Sequence, residues 1–101
     1  MANKAHAAVV RRLIERYGVQ GGENSNGFDV HVGDLIIEVE TTATLQEAVI
    51  KLKGTSGRRF VAMTNREALE DAMALTTSTD IGVMDPWGEI VRAPETAEPR
   101  S

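Results

Sequence analysis

Cysteine is absent from the chain. Its absence removes disulfides, thiolate zinc sites and cysteine nucleophiles, and it fits a reducing compartment. Aromatic side chains are scarce at 4%, too few for the stacking platform on which single-stranded nucleic acid is held. No apolar run approaches the roughly 18 residues that a membrane span needs. Residues 1–6 lack the apolar centre of a secretory signal. The expectation is a cytoplasmic protein with no membrane partner. A basic excess is lacking too: 11 Lys and Arg stand against 15 Asp and Glu, a formal net charge of -4. Dedicated nucleic-acid binders usually carry a surplus of positive charge, so the total argues mildly against that class. Local patches outweigh totals, however, and carboxylates that hold a metal lower the net charge of a nucleic-acid enzyme as well.

What is present is ordinary for a globular protein: 42% hydrophobic and 26% charged residues in a chain of 101. That length supports one domain with one modest core. The expected domain covers residues 1–92. Residues 93–101, rich in Pro, Glu, Ala and Ser, read as a disordered tail. There is no internal repeat and no linker.

Helical spacing predicts a first helix over residues 4–17, with His6, Val9, Val10, Leu13, Ile14 and Tyr17 on one stripe and Gly18 as the stop. Val19 and Gln20 are candidates for a short first strand. Residues 21–27 form a loop by composition. A phosphate cradle fails there, because no Lys-Ser/Thr follows and no helix opens directly after. Residues 28–32 alternate, with Phe28, Val30 and Val32 opposite Asp29 and His31. Residues 35–40 alternate too, with Leu35, Ile37 and Val39 opposite Ile36, Glu38 and Glu40. Gly33-Asp34 between them suits a two-residue hairpin turn with Gly at its first central position. A second helix follows, announced by a capping-box pattern at Thr44 and Glu47 and striped by Leu45, Ala48, Val49 and Leu52. Residues 59–64 read as a central strand buried on both faces. Thr64 and Glu67 announce a third helix, in which Leu69, Ala72, Met73 and Leu75 face mostly inward. Residues 81–84 form another strand, Asp85-Pro86-Trp87-Gly88 a turn, and residues 89–92 a returning edge strand. The fold class is α/β (α+β), a mixed central sheet flanked by helices.

The hairpin register places Asp29 opposite Glu38, with Cβ atoms roughly 4.5–5.5 Å apart. Like charges so placed repel, and a divalent cation is a natural compensation. Asp29, His31, Glu38 and Glu40 share one side of the hairpin, broken only by Ile36. A slip of one residue would destroy this segregation.

The run Gly27-Phe28-Asp29-Val30, then Leu35-Ile36-Ile37-Glu38-Val39-Glu40, then an amphipathic helix, resembles the core of PD-(D/E)XK nucleases, most closely the small archaeal Holliday-junction-resolvase type. The resemblance spans roughly residues 4–92. It implies a restriction-endonuclease-like core of order α-β-β-β-α-β-α-β and a Mg²⁺ or Mn²⁺ ion held by Asp29, Glu38 and the carbonyl of Val39. It also implies cleavage of phosphodiester bonds in duplex or branched DNA. Glu40 departs from the pattern, since it stands where the family has the lysine that polarises water. It could hold a second metal or act as a base. Lys51 and Lys53 on the second helix are candidates for a migrated lysine, and Lys51 joins Asp29, Glu38 and Glu40 as the catalytic set. Gln46 matches a helper position of some relatives. Glu15 lies off the inward stripe and is not carried over.

Lys51, Lys53, Arg58 and Arg59 make a basic cluster, and with His31 they are the candidate nucleic-acid contacts; a solvated helix end is the plainer alternative. His6 reads as a partly buried structural residue, and Trp87 as a plug or a dimer contact. The reading is a metal-dependent endonuclease-like protein, expected as a homodimer. A catalytically degenerate binding or interaction module on the same fold is the alternative, supported by Glu40 in place of lysine.

Overall fold

The computed structural model describes residues 4–18 and 27–94. Helix α1 (Lys4–Tyr17) follows most of the expected stripe: Val9 and Leu13 are fully buried and Val10 and Tyr17 partly so, whereas Ile14 is exposed. Gly18 ends it with a φ of 88° and donates its N–H to the Ile14 carbonyl at 2.7 Å, a left-handed position that glycine fills without steric cost. The strand expected at Val19 and Gln20, most of the loop over residues 21–27 and most of the C-terminal tail lie outside the described residues.

The hairpin forms in the expected register. Strand β1 (Val30–Val32) runs antiparallel to β2 (Leu35–Glu40), with Val32 opposite Leu35, His31 opposite Ile36 and Val30 opposite Ile37. Gly33 has a φ of 60°, as the first central residue of such a turn requires. The strand starts two residues later than expected, because Phe28 and Asp29 form a bend. That bend breaks the alternation. Phe28 therefore packs with Ile36 and Leu45 rather than beside Val30, which lies in the opposite cluster with Leu13 and Ile37.

Helix α2 (Leu45–Lys53) buries Leu45, Ala48, Val49 and Leu52 and stops at Gly54. Its expected capping box does not form. Thr44 has helical dihedrals, and its hydroxyl oxygen accepts from the Thr41 N–H at 3.2 Å instead. Strand β3 (Arg58–Met63) pairs with β2 in parallel. Asn65, rather than Thr64, then caps the next turn, its side-chain oxygen accepting from Ala68 N–H at 2.9 Å. Thr64 is held by the sheet, donating its N–H to the Glu40 carbonyl. A 3-10 turn (Arg66–Ala68) leads into helix α3 (Leu69–Leu75), where Ala72 is buried and Leu75 is exposed. Strand β4 (Gly82–Met84) pairs in parallel with β3, and β5 (Ile90–Arg92) returns antiparallel as the outer edge.

The result is a small α+β domain with three helices and a mixed five-stranded sheet of order β1-β2-β3-β4-β5. The central strand β3 is buried on both sides. Val61 and Met63 join the core under α2 and α3, while Phe60 and Ala62 join the one under α1. Because β2, β3 and β4 are parallel, their carboxyl ends share one margin of the sheet. None of the helices among the described residues is long and apolar enough to cross a membrane.

Candidate metal centre

At the open end of the hairpin, the side chains of Asp29, Glu38 and Glu40 offer carboxylate oxygens that all lie within 4.8 Å of one another. Asp29 sits one step beyond the last β1–β2 pair, and main-chain bonds hold it there. Its N–H donates to Glu38 Oε1 at 3.2 Å, and the Val39 N–H donates to Asp29 Oδ2 at 2.8 Å. The N–H and carbonyl of a strand residue project from the same margin, so the Val39 carbonyl faces the side on which Asp29 sits. The bend at residues 28 and 29 thus replaces a ladder pair with a side-chain crossing. The two acids meet as the sequence predicts, by a different local route.

A lysine supplies part of the compensation that such crowding demands. Lys51, near the end of α2, places Nζ 2.8 Å from Glu38 Oε2 and donates to the Gly27 carbonyl at 2.7 Å. The same ammonium stands 4.7 Å from the centre of the Phe28 ring, an attractive cation–π arrangement. Glu38 is only 5% exposed. Burial pushes its pKa up, Lys51 pulls it down, and the Asp29 carboxylate pushes it up again. Burial is also the main cause that raises the pKa of Glu40, opposed by the Thr44 hydroxyl and reinforced by Glu38 and Asp29. When all are ionised, three carboxylates against one ammonium leave a surplus of two negative charges. That surplus equals the charge of a divalent cation.

His6, expected as a partly buried structural residue of the α1 stripe, is partly buried and also places Nε2 3.3 Å from Asp29 Oδ2. The signal was its inward position in the first turns of α1. Its partner, 23 residues away, becomes visible only once α1 is laid across the sheet.

Of the other candidates, His31 stays on the carboxylate side through its pairing with Ile36 and meets the Phe28 ring edge to face at 5.9 Å. Arg58, opposite Leu35 in the β2–β3 register, pairs with Asp34 at 3.4 Å. Leu35 lies three residue steps before Glu38, which puts Arg58 roughly 10 Å further along the strands, towards their amino ends. Lys53 borders an open concavity at that same amino end, together with Arg58 and Asp80. Arg59 corrects the expectation of a phosphate contact. It is 5% exposed, donates to the Leu52 and Gly57 carbonyls at 2.6 and 3.0 Å, and pairs with Asp80. The loop that leaves α2 turns these carbonyls inward, where they need a donor. Gln46 and Glu15 are exposed. The structure therefore brings Asp29, Glu38, Glu40, Val39 and Lys51 together and leaves Lys53, Arg58 and Arg59 away from them.

No protein-family model, curated protein or solved structure matches the chain.

Chemically, the cluster is an all-oxygen set. Carboxylates and a main-chain carbonyl are hard donors of the kind that Mg²⁺, Mn²⁺ or Ca²⁺ prefers over softer metals. The residues present could thus hold a metal ion, and it is burial first, with like-charged neighbours adding to it, that raises the proton affinities of Glu38 and Glu40.

Proposed function

We propose that the protein is a metal-dependent, nuclease-like enzyme acting on nucleic-acid phosphodiester bonds, DNA above all. The observation that carries this reading is the convergence of Asp29, Glu38 and Glu40 on one point beside the ammonium of Lys51. The described elements run helix, hairpin, helix, strand, helix, strand, strand, with two strands before α2 where the PD-(D/E)XK resemblance implies three. In that reading Asp29, Glu38 and the Val39 carbonyl hold Mg²⁺ or Mn²⁺. A divalent cation bound there would supply Lewis-acid polarisation and a water of lowered pKa. Glu40, whose proton affinity is already raised by burial, takes the proton of the attacking water. Lys51 restores the positive charge that Glu40 displaces from the motif, now from α2, and stands against the charge that develops on the phosphate.

The Lys51–Glu38 pair also favours a second reading. It balances part of the acidic charge from within, as a degenerate module that holds nucleic acid without cutting it would need. Calorimetric titration with Mn²⁺ and Mg²⁺, on the wild type and on Asp29→Asn, separates the two when a nuclease assay is run on the same samples. Binding and cleavage that are both lost in the variant support the enzyme. Metal binding without cleavage supports the degenerate module. A wild type that binds neither ion sinks the metal site and the proposal with it.

A further inference from the structure

The margin that carries Glu40 carries a second unbalanced cluster of opposite sign. Trp87, in the turn after β4, is 49% exposed. The guanidinium carbon of Arg12 lies 5.1 Å from the Trp87 ring centre, and that of Arg66 lies 5.2 Å from it. The two cations are therefore within about 10 Å of each other, a separation that dilute salt screens only in part. Arg12 also donates to the Pro86 carbonyl at 3.1 Å. Arg16, Arg58 and Arg59 each have a carboxylate partner in Glu89, Asp34 and Asp80. Among the described residues, neither Arg12 nor Arg66 has one.

The position of this cluster is fixed by two rulers. Along the sheet, Glu40 ends β2, Arg66 follows β3 and Trp87 follows β4, so the cluster lies two strand spacings from the carboxylates, or about 10 Å. Along α1, His6 touches Asp29 and Arg12 touches the turn at Pro86. Six residues of helix span about 9 Å. The estimates agree, and the distance corresponds to roughly three nucleotide steps at 3.4 Å per step.

We infer that Arg12, Arg66 and Trp87 form the nucleic-acid contact of this protein, the two arginines gripping a phosphate and the exposed tryptophan ring taking a base, a few nucleotides from the carboxylates. The inference rests on the nuclease-like reading for what lies at the other end of the strand. It moves the contact from Lys53 and Arg58, at the amino margin, to the β3–β4 side of the carboxyl margin. Planar guanidinium groups favour phosphate geometry, and stacking on an aromatic ring is sequence-tolerant.

Trp87 is the only tryptophan in the chain, so its fluorescence reports on the site directly. The full-length protein is titrated in EDTA with a single-stranded thymidine homopolymer, with a duplex, and with polyglutamate as an acidic-peptide mimic. The expected result is saturable quenching by nucleic acid that weakens as salt rises. Arg66→Gln should weaken binding several-fold and flatten the slope of log affinity against log salt by about 0.7 for a single strand. Arg58→Gln, an equal change of formal charge at another exposed position, should leave both unaltered. Arg66 is exposed, so its variant is expected to keep the fold, which a thermal melt of the variant checks. Absent quenching, an equal response to polyglutamate, or a loss with Arg58→Gln instead of Arg66→Gln would each overturn the inference. Because no divalent ion is present, this outcome is independent of the metal titration. A protein that binds no metal can still pass here, and one that cuts DNA without a Trp87 response fails here alone.

Discussion

Replacing Lys51 with methionine tests the electrostatic balance of the carboxylate cluster. Methionine keeps most of the apolar stem and removes the ammonium. Glu38 is then left almost fully buried, facing Asp29 with no cation against it. Removing one partner of a fully buried ion pair costs about 3–5 kcal/mol. Lys51 is 46% exposed, however, so solvent screening reduces the charge-dependent loss to about 1–2 kcal/mol. The bond to the Gly27 carbonyl and the contact with the Phe28 ring contribute roughly another 1 kcal/mol that does not depend on Glu38 ionisation. The sign follows from the raised pKa of Glu38. A carboxyl that holds its proton more tightly when folded stabilises the fold fully below its unfolded pKa, and that contribution fades as pH rises through the folded pKa. Without Lys51 the folded pKa climbs further, and the deficit of the variant grows with pH until it levels off. Thermal and urea unfolding of both proteins between about pH 4 and pH 8 measures it. The variant should melt about 10–20 °C lower near neutrality, at 4–8 °C per kcal/mol for a domain of this size, and much closer to the wild type in acid. An equal deficit at both ends of the range, or none at neutral pH, would refute the assignment of Lys51 as the counter-charge of Glu38.

The raised proton affinities of Glu38 and Glu40 also predict that Mn²⁺ must displace protons. Its stabilisation of the wild type should therefore grow from acid towards neutral pH, read as a shift in melting temperature at fixed metal; a shift that does not vary with pH would contradict this. Arg59→Met should cost about 1–3 kcal/mol in urea unfolding, because it removes the guanidinium donor from the Gly57 carbonyl, leaves the Leu52 carbonyl to the Thr55 N–H, and takes the partner from Asp80; a loss under about half a kcal/mol would show that the guanidinium is dispensable.

The parts of the fold legible in the sequence are those set by local chemistry. The hairpin register follows from two alternating runs and a Gly33-Asp34 turn, and the observed pairs match it residue for residue. The limits of α1 follow from one stripe and one glycine. The carboxylate cluster was legible for the same reason, since strand alternation places Glu38 and Glu40 on one side and the hairpin turn returns Asp29 to that end, although a bend with side-chain bonds completes the meeting in place of a ladder pair. Failures arose where a bend or a competing bond intervened. Phe28 crosses to the other core because the chain bends before β1. Thr44 spends its hydroxyl on Thr41 rather than on its helix. Arg59 reads as a surface cation of a basic cluster, but it lies in β3 beyond its one exposed residue, Arg58, and is turned to the Leu52 and Gly57 carbonyls. The contacts of His6 with Asp29 and of Arg12 with Trp87 join residues far apart in sequence, and no local pattern encodes such meetings.

Helix α1 is fastened at its far end to the last turn of the domain. Tyr17 donates its hydroxyl to the Gly88 carbonyl at 2.7 Å, and Arg16 reaches the Trp87 carbonyl and the Glu89 carboxylate, both at 3.1 Å. These bonds close a loop of more than two thirds of the chain. A lone helix of this length is only marginally stable in water. Helix α1 leaves the ribosome before the turn that fastens it, so its docking waits for residues 87–89 to emerge. Folding should be paced by this long-range closure rather than by the quick formation of local turns.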